Sequence, residues 1–205
     1  MAYFITGGTG FIGRFFIDKL MGREGDIYVL TRAGSRDKFE ALQQRFGADS
    51  DRLIPVEGDL RQPLLGLDEA TIADLRGQVR HFCHLAAIYD LAASAEEQVK
   101  TNIDGTRNAV QLAHALEAGC FQHVSSIAAG GLYHGTFRED MFEEAENIDH
   151  PYFRTKHDSE GIVRSECQVP WRIYRPAMVV GHSRTGEIDK IDGAYYGLPT
   201  AVRAL

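Results

Sequence analysis

Short apolar runs alternate with amphipathic segments along most of the chain. Runs of four or five mainly apolar residues predict buried strands at 2–6, 27–30, 53–56, 82–85, 121–125 and 171–174. The stretches between them carry apolar residues at helical spacing or have a polar face, and they predict helices over residues 11–21, 35–46, 68–75, 94–118 and 151–165. Residues 129–149, rich in glycine and acidic residues, are expected to form a loop.

This alternation of strands and helices predicts the fold class. Short apolar strands separated by helices indicate a parallel sheet that is covered on both faces. Asp68 is a suitable cap for the third helix, and Pro151 is a good first-turn residue for the last. The expected architecture is a doubly wound, mostly parallel α/β sheet of the Rossmann-like type.

Composition and charge narrow the classes of partner. The chain has 205 residues, 44% hydrophobic and 25% charged, which is ordinary for a globular domain. A formal net charge of −7 gives no electrostatic reason to expect a nucleic acid or an anionic membrane surface as partner. No stretch approaches the roughly 20 apolar residues of a membrane span, so no integral membrane segment is expected. The chain starts directly with a strand, without room for a signal peptide, so a cytoplasmic location is expected.

The cysteines and histidines do not predict a metal site. Cys83, Cys120 and Cys167 are widely spaced and odd in number, so disulfides are not expected in a cytoplasmic protein. His81 and His84 are three residues apart on a predicted strand, where their side chains point to opposite faces. No metal is expected.

A glycine-rich turn joins the first strand to the first helix. In Gly7-Gly8-Thr9-Gly10-Phe11-Ile12-Gly13, Gly7 permits a tight turn, Gly10 lets a pyrophosphate approach the main chain, and Gly13 lets helix and strand pack closely. Backbone N–H groups and the helix dipole would both favour an anion there. A tight turn without a ligand is the alternative, but a strand before it, a helix after it and a second strand beyond favour a dinucleotide cradle.

Residues after the second, third and fourth strands bear on the choice of cofactor. Arg32 lies where an NAD-binding unit carries an acidic residue, and a guanidinium matches the 2′-phosphate of NADP(H). A solvated surface arginine is the alternative interpretation. Asp59, followed by Leu60, is placed to accept from the adenine amino group, or is simply a turn aspartate. The small residues of Leu85-Ala86-Ala87 would let the cofactor lie across the strand ends.

Tyr152 and Lys156 carry the predicted chemistry. They are four residues apart on a predicted helix, so both emerge from one face, although a surface pair would show the same spacing. Lys156 would hold the nicotinamide ribose hydroxyls and lower the pKa of the phenol. A serine of the pair Ser125-Ser126 would hydrogen-bond a substrate carbonyl, and Asn102 would hold a water that links Lys156 to solvent.

The order of these elements resembles the extended short-chain dehydrogenase/reductases. In that pattern Ser126 is the catalytic serine, and Phe11, Ile12 and Pro176 join the cofactor-binding residues. Several segments look like bacterial fatty acyl-CoA reductases, which carry a male sterility-type NAD-binding domain. They are H-L-A-A-I-Y-D at 84–90, H-V-S-S-I-A-A at 123–129, F-R-E-D-M-F-E-E-A-E at 137–146, H-P-Y-F-R-T-K-H at 150–157 and R-I-Y-R-P-A-M-V-V-G-H-S at 172–183.

The resemblance implies NADPH-dependent reduction of a long-chain fatty acyl-CoA to the aldehyde, with onward reduction to the alcohol left open. Two rivals remain: another reductase or epimerase acting on a steroid, flavonoid or nucleotide sugar, and a non-catalytic NADP(H)-binding sensor. The resemblance covers residues 1–196, which are expected to form the dinucleotide-binding domain. Residues 197–205 depart from the family and are interpreted as a divergent tail or truncation point, without the family's C-terminal substrate cap. Pairing of two copies through the long helix and the Tyr152 helix is expected from the resemblance alone.

Overall fold

A single parallel sheet forms the centre of the molecule. The computed structural model describes residues 2–88 and 94–188. In these ranges the strands are β1 (Ala2–Thr6), β2 (Asp26–Thr31), β3 (Leu53–Glu57), β4 (Val79–His84), β5 (Phe121–Val124) and β6 (Trp171–Tyr174). Their order is β3-β2-β1-β4-β5-β6, and every neighbouring pair is parallel. The predicted doubly wound fold is confirmed, and the carboxyl ends of all these strands lie along one edge.

Helices cover both faces of this sheet. They are α1 (Phe11–Met21), α2 (Arg36–Gln44), α3 (Glu69–Leu75), α4 (Ala95–Gln98), α5 (Gly105–Ala115) and α6 (Pro151–Glu166). The long helix predicted over 94–118 consists of α4, a wider π-type segment over Val99–Asp104 and α5 in direct succession. Within the predicted loop 129–149, Gly131 makes an isolated bridge with Glu146.

Side chains cap three of these helices as helix-capping chemistry requires. The Thr71 amide donates to Asp68 Oδ1 at 2.7 Å at the start of α3. Ser94 forms a capping box with Glu97: the Glu97 amide donates to Ser94 Oγ, and the Ser94 amide donates to the Glu97 carboxylate. At α6, the Tyr152 amide donates to His150 Nδ1 at 3.2 Å. These local bonds explain why the helices begin close to the predicted positions.

Two apolar layers bury the faces of the sheet. On one face, Phe82 stacks between Phe4 and Phe121, with ring centroids 4.9 and 5.3 Å apart, beneath apolar residues of α3, α5 and α6. On the other face, residues such as Ile5 and Val29 pack against α1 and α2. The strands β1, β2 and β4 therefore carry buried apolar residues on both faces, as a sheet between two helical layers requires.

The alternation of side chains along β4 separates its two histidines. His81 stacks on Tyr3 at one face, whereas His84 is buried at the other. Among the residues described, no group of three or more His, Cys, Asp or Glu could hold a metal ion. No helix in that same part of the chain is long and apolar enough to cross a bilayer. Cys83, Cys120 and Cys167 are free thiols.

Two predicted features lie outside the described residues. Tyr89 and Asp90, the end of the 84–90 motif, belong to the undescribed segment 89–93. The proposed domain limit at 196 and the tail 197–205 lie beyond residue 188.

Candidate functional site

A cavity of about 510 Å³ opens at the carboxyl edge of the sheet. Its walls come from the turn after β1, the ends of β4 and β5, the first turns of α6 and the segment after β6. The predicted site residues that line it are Gly7, Gly10, Phe11, Ile12, Gly13, Leu85, Ala86, Ala87, Ser126, Tyr152, Lys156 and Pro176. Residues far apart in the chain therefore share one cavity where open α/β sheets bind ligands.

Close backbone packing explains the glycines of the β1–α1 turn. Gly7 has φ +75°, and a Cβ there would lie 2.7 Å from the Ala86 nitrogen. A Cβ on Gly13 would lie 2.2 Å from the Gly7 carbonyl oxygen, which belongs to the backbone and cannot rotate away. Gly7 and Gly13 therefore have to be glycine for the turn to close, whatever binds there.

The N-terminus of α1 faces the cavity through Phe11, Ile12 and Gly13. Among the described residues no side chain caps this helix, whose first position follows Gly10. The amide groups of the first turn of a helix point along its axis and have no partner within the helix. Together with the helix dipole they provide a site for an anion such as a diphosphate.

Tyr152 and Lys156 come from one face of α6 and border the cavity together. The Lys156 side chain is buried, and its Nζ donates to the Val124 carbonyl oxygen at 3.0 Å. Burial lowers the pKa of Lys156 to about 8, and the charge of Glu160 opposes this shift. Lys156 therefore changes its charge close to neutral pH, in the range useful to a proton-transfer group.

Ser126 also lines the cavity and follows the end of β5. Its Oγ accepts a hydrogen bond from the Ala128 amide at 3.1 Å, at the start of a short 3₁₀ turn over Ile127–Gly130. A hydroxyl that accepts such a bond still has its own hydrogen to donate. Ser126 is therefore held in place while its O–H can turn to a ligand in the cavity.

Asn102 does not line the cavity but holds two of its walls. Its Oδ1 accepts from the Ile88 amide at 2.8 Å, and its Nδ2 donates to the Ile88 carbonyl and to Thr155 Oγ1. Asn102 lies in the π-type segment over Val99–Asp104, an irregularity of helices that is frequent at functional sites. These bonds tie the segment after β4 to α6, while the predicted water-holding role stays a prediction.

The predicted adenosine end lies outside this cavity. Arg32 is exposed directly after β2, and neighbouring Arg36 pairs with Glu57 at 3.5 Å. Asp59 accepts hydrogen bonds from the Arg61 main chain and guanidinium, and these bonds, with a smaller contribution from Arg32, lower its pKa. Asp59 thus has the turn geometry that the sequence left as an alternative.

Leu60, beside it, packs on the sheet core, and its carbonyl oxygen accepts a hydrogen bond from the side-chain Nδ2 of Asn108 at 2.8 Å. The cofactor roles of Arg32, Asp59 and Leu60 stay predictions.

A buried polar chain connects the cavity wall to Asn102. The Ala86 amide donates to Thr6 Oγ1, which lies 2.7 Å from His84 Nδ1. His84 Nε2 lies 3.1 Å from Thr106 Oγ1, which donates to the Asn102 carbonyl oxygen. This sense of donation places the ring proton on Nε2. Burial lowers the pKa of His84 to about 3, and the charge of Lys156 adds to the shift, so the ring is neutral.

Sequence reasoning missed several residues of the site. Ser125, expected only as one member of the Ser125-Ser126 pair, also lines the cavity. The lining residues that were not expected there are Val124, Ile127, Ala128, Ala177, Met178, Val179 and Val180. Beneath it, Glu160 is a completely buried carboxylate. The spacing of Tyr152, Lys156 and Glu160 at four-residue intervals was a signal that could have placed Glu160 on the same helix face.

The fold and the cavity define a Rossmann-like dinucleotide-binding domain of the short-chain dehydrogenase/reductase type. The model of the NAD-binding family described as "Male sterility protein" matches residues 5–204, and the chain belongs to that family. The resemblance drawn from the sequence motifs is therefore confirmed at family level, which places the chain in an oxidoreductase family.

Relatives of two kinds are similar to the chain. A component of the linear gramicidin synthase of Brevibacillus parabrevis is 32% identical over 207 residues, covering 93% of this chain and 4% of that protein. The fatty acyl-CoA reductase wat of Drosophila melanogaster is 27% identical over 235 residues, covering 93% of this chain and 46% of that protein.

A solved structure has the same fold over nearly the whole chain. The terminal R domain from the myxalamid PKS-NRPS biosynthetic pathway is similar with a TM-score of 0.83 at 28% identity, covering 99% of this chain and 55% of that chain. The chain thus spans about half or less of these proteins.

Proposed function

We propose that this chain is the NADPH-binding, catalytic part of a reductase that converts an acyl thioester, in the first instance a long-chain fatty acyl-CoA, to the aldehyde. The observation that supports this most is the shared cavity, which brings the glycine turn, Ser126, Tyr152 and Lys156 to one edge of the sheet. Family membership and the fatty acyl-CoA reductase among the relatives support the same reaction class.

The residues present fit a nicotinamide dinucleotide. The uncapped N-terminus of α1 and the Gly7–Gly13 turn would hold the diphosphate, and Lys156 would hold the nicotinamide ribose. Leu85, Ala86 and Ala87 line the cavity, and their apolar, mostly small side chains would let the cofactor lie across the strand ends. The exposed guanidinium of Arg32 supports NADPH over NADH, because it attracts the 2′-phosphate.

The two hydroxyl groups would act on the substrate oxygen. NADPH, when bound, would supply the hydride that reduces the carbonyl carbon of the thioester. Ser126 and Tyr152 would donate hydrogen bonds to the carbonyl oxygen and stabilise the negative charge that develops on it. When the carbonyl re-forms, the carbon–sulfur bond breaks and the aldehyde is released. The thiolate that leaves takes up a proton from solvent and becomes the free thiol. In any second, aldehyde-reducing step, Tyr152 would donate its proton to the substrate oxygen. The Lys156 ammonium would favour this transfer, because it stabilises the ionised phenol that remains.

The surface beside the cavity suits an apolar chain. Ile127, Met178, Val179 and Val180 line the cavity and remain largely exposed, with Met178 at 70% exposure. Exposed apolar groups at the rim of a polar site are typical of a surface that a ligand or another part of a protein covers. This supports an apolar acyl substrate over a nucleotide sugar.

A second candidate is reduction of a thioester carried by a peptide synthetase. It is favoured by the 32% identity to the gramicidin synthase component and by the R domain of the myxalamid pathway. The chemistry at the carbonyl carbon is the same, and only the thiol that carries the acyl group differs.

Replacement of Tyr152 tests the proposal. We expect Tyr152→Phe to lower thioester-dependent NADPH oxidation by about 10²- to 10⁴-fold and to spare NADPH binding, because only the phenolic hydroxyl is lost. Tyr174→Phe is the matched control, since its hydroxyl is exposed and donates to Gln122 outside the cavity. Equal turnover of Tyr152→Phe and wild type would refute the assigned role.

The assay should compare acyl-CoA with the same acyl group on a carrier protein, using this chain and the protein extended to the length of its relatives. Faster turnover of the carrier-bound group would favour the peptide synthetase type. Undiminished NADPH binding with no turnover of either substrate, or of steroids, flavonoids and nucleotide sugars, would favour the sensor.

Two further expectations belong to the same proposal. A homodimer through α5 and α6 would show as twice the chain mass in light scattering, and a single chain mass would exclude it. A cytoplasmic location would show as the protein in the cytosolic fraction of its own cells, and recovery elsewhere would contradict it.

A further inference from the structure

A fully buried carboxylate lies beneath the candidate site. Glu160 is on α6, one helical turn after Lys156 and two after Tyr152, so the three share a helix face. Its side chain is 0% exposed. An ionised group in such a position is costly unless it is paired and hydrogen-bonded, so its partners decide what it does.

Four hydrogen bonds from three side chains hold the Glu160 carboxylate. Arg175 makes a bidentate pair with the carboxylate, donating from Nη2 to Oε1 at 2.6 Å and from Nε to Oε2 at 3.0 Å. Arg164 donates from Nε to Oε1 at 2.9 Å. Ser125 Oγ donates to Oε2 at 2.8 Å. Every bond to Glu160 therefore stabilises its ionised form.

Ser125 connects this cluster to the cavity. It lines the cavity, it is the residue before Ser126, and its amide donates to the Tyr174 carbonyl oxygen at 2.8 Å. With its hydroxyl on Glu160 and its amide on β6, Ser125 has little freedom to rotate. The backbone that presents Ser126 is consequently fixed by the bond that Ser125 donates to Glu160.

Arg175 joins a third segment to the same carboxylate. Its guanidinium also donates to the carbonyl oxygens of Arg138 and Met141 and lies over the Phe137 ring at 5.0 Å. It directly precedes Pro176, which lines the cavity. The cluster thus ties α6, the end of β5, the segment after β6 and the loop over 137–141 together at one buried point.

We propose that Glu160 is a positioning residue of the site: its buried carboxylate, held by Arg175, fixes the Ser125–Ser126 corner and places a permanent negative charge one helical turn from Lys156. This inference rests on the proposed function for its catalytic consequence, but not for the charge that it places beside Lys156.

The charges around Lys156 agree with this role. Burial raises the pKa of Glu160, but the hydrogen bonds from Arg175, Ser125 and Arg164 and the charge of Arg175 outweigh it, so the pKa is lowered and the group stays ionised. Besides Glu160, Tyr152 on the same helix borders the cavity with Lys156, and His84 on β4 and His123 on β5 interact with its charge. Burial lowers the pKa of both histidines, so they are neutral and Glu160 supplies the opposing charge.

The titration of Lys156 tests this placement directly. The chain has only five lysines, so NMR of protein labelled with ¹³C at the lysine ε-carbon can resolve Lys156, assigned by the signal lost in Lys156→Arg. We expect Glu160→Gln to move the midpoint of Lys156 downward by about one pH unit, because an opposite charge favours the charged form. A merely structural role for Glu160 would leave that midpoint unchanged in the folded protein.

Glu166→Gln is the matched control. Glu166 is on the same helix and also pairs with an arginine, Arg107 at 3.2 Å, but the pair is exposed and far along the helix from Lys156. It should leave the Lys156 midpoint and NADPH affinity unchanged. If Glu160→Gln does not fold, Arg164→Gln replaces it: with one positive charge removed from the cluster, the Lys156 midpoint should rise. A Lys156 midpoint that stays at the wild-type value in the folded variants overturns the proposal.

Ser125→Ala tests the positioning of the serine corner. It removes one hydroxyl and leaves all charges in place, so the Lys156 midpoint should be retained while kcat falls about tenfold with little change in KM, as expected when geometry alone is loosened. An unchanged kcat would refute the positioning role of Ser125. If wild type neither binds NADPH nor turns over thioesters, the proposed function fails, whereas the NMR titration still decides the role of Glu160.

Discussion

The two ends of the sheet's carboxyl edge are built in different ways. Beneath the end formed by β4, β5 and α6, polar groups are buried and hydrogen-bonded, as at His84, Asn102 and Glu160. At the end formed by β2 and β3, Arg32 is exposed and Arg36 pairs with Glu57 at the surface. Buried networks hold one geometry, because each lost bond leaves an unpaired polar group. Exposed charged side chains contribute little to the stability of the fold, so their positions can adjust to a ligand.

The difference suggests a division of labour. The buried end would hold the reacting groups at fixed positions, and the exposed end would choose the cofactor. Substitutions at the buried end should therefore alter rate and stability, and substitutions at the exposed end should alter cofactor affinity alone. The following experiments test this division in order of expected effect.

The largest effect is expected at the turn that both ends share. Gly13→Ala places a Cβ 2.2 Å from a backbone oxygen, so the turn has to open. We expect a loss of at least about 2 kcal/mol in the free energy of unfolding, and loss of NADPH binding in a fluorescence titration. Gly22→Ala at the other end of α1 is the control, because a Cβ added there would lie 3.7 Å from its nearest neighbour, the Lys19 carbonyl oxygen. Normal binding by Gly13→Ala would contradict the close packing.

The ionisation of Lys156 is expected to produce a fall in kcat/KM, the alkaline limb of the pH profile. Its pKa of about 8 means that the charged form is present below that pH and is lost as the pH rises through it. If the ammonium is required, kcat/KM should fall about tenfold for each pH unit above the pKa. Lys156→Arg should remove this limb, since a guanidinium keeps its charge, even if its rate is lower. A wild-type rate that is flat from about pH 7 to about pH 10 would argue against a role for the ammonium.

Reversal of the charge at the exposed end should change cofactor preference. We expect Arg32→Asp to weaken NADPH binding by about 10- to 100-fold, the worth of a charged hydrogen bond, while NADH binding is retained or improved. The melting temperature should not change. Arg45→Asp, which makes the same change in charge at the end of α2, should leave both affinities as they are. An equal loss of affinity for NADPH and NADH would contradict the assignment of Arg32 to the 2′-phosphate.

Two stacked histidines give the finest test of the buried end. His84 bonds Thr6 and Thr106, whereas neither ring nitrogen of His123, 5.5 Å away by ring centroid, has a hydrogen-bond partner among the described residues. We expect His84→Leu to cost about 1–3 kcal/mol in the free energy of unfolding, because the Thr6 hydroxyl loses its acceptor and Thr106 Oγ1 loses the ring N–H that donates to it. His123→Leu should be close to neutral. Chemical denaturation of both variants measures the difference, and equal losses would contradict it.

The same pair predicts a dependence of stability on acid. Both histidines have lowered pKa values in the folded protein, with His84 at about 3. The unfolded chain therefore binds more protons, and stability falls as the pH drops below about 6.5, the ordinary pKa of histidine. His123→Leu should reduce this loss, and an acid sensitivity identical to wild type would show that the ring does not contribute.

Local chemistry explains what could be predicted. The positions of Gly7 and Gly13, the Asp68 cap and the four-residue spacing of Tyr152 and Lys156 each depend on a few consecutive residues, so pattern alone was sufficient. The order of strands along the chain likewise followed from alternation, because parallel strands joined by helices have few ways to pack.

Contacts between distant elements could not be predicted in this way. Nothing in the residues around Glu160 indicates that Arg175 would reach it from beyond β6, and nothing around Asn102 indicates that its amide would bind Ile88. Such pairs depend on the register between layers, which is decided when the whole core packs. The sequence by itself therefore determined the fold class, the family and the chemical groups of the site. Only the tertiary structure decided which of those groups meet in the cavity, because hydrogen bonds between buried side chains form only where packing brings separate elements within about 3 Å of each other.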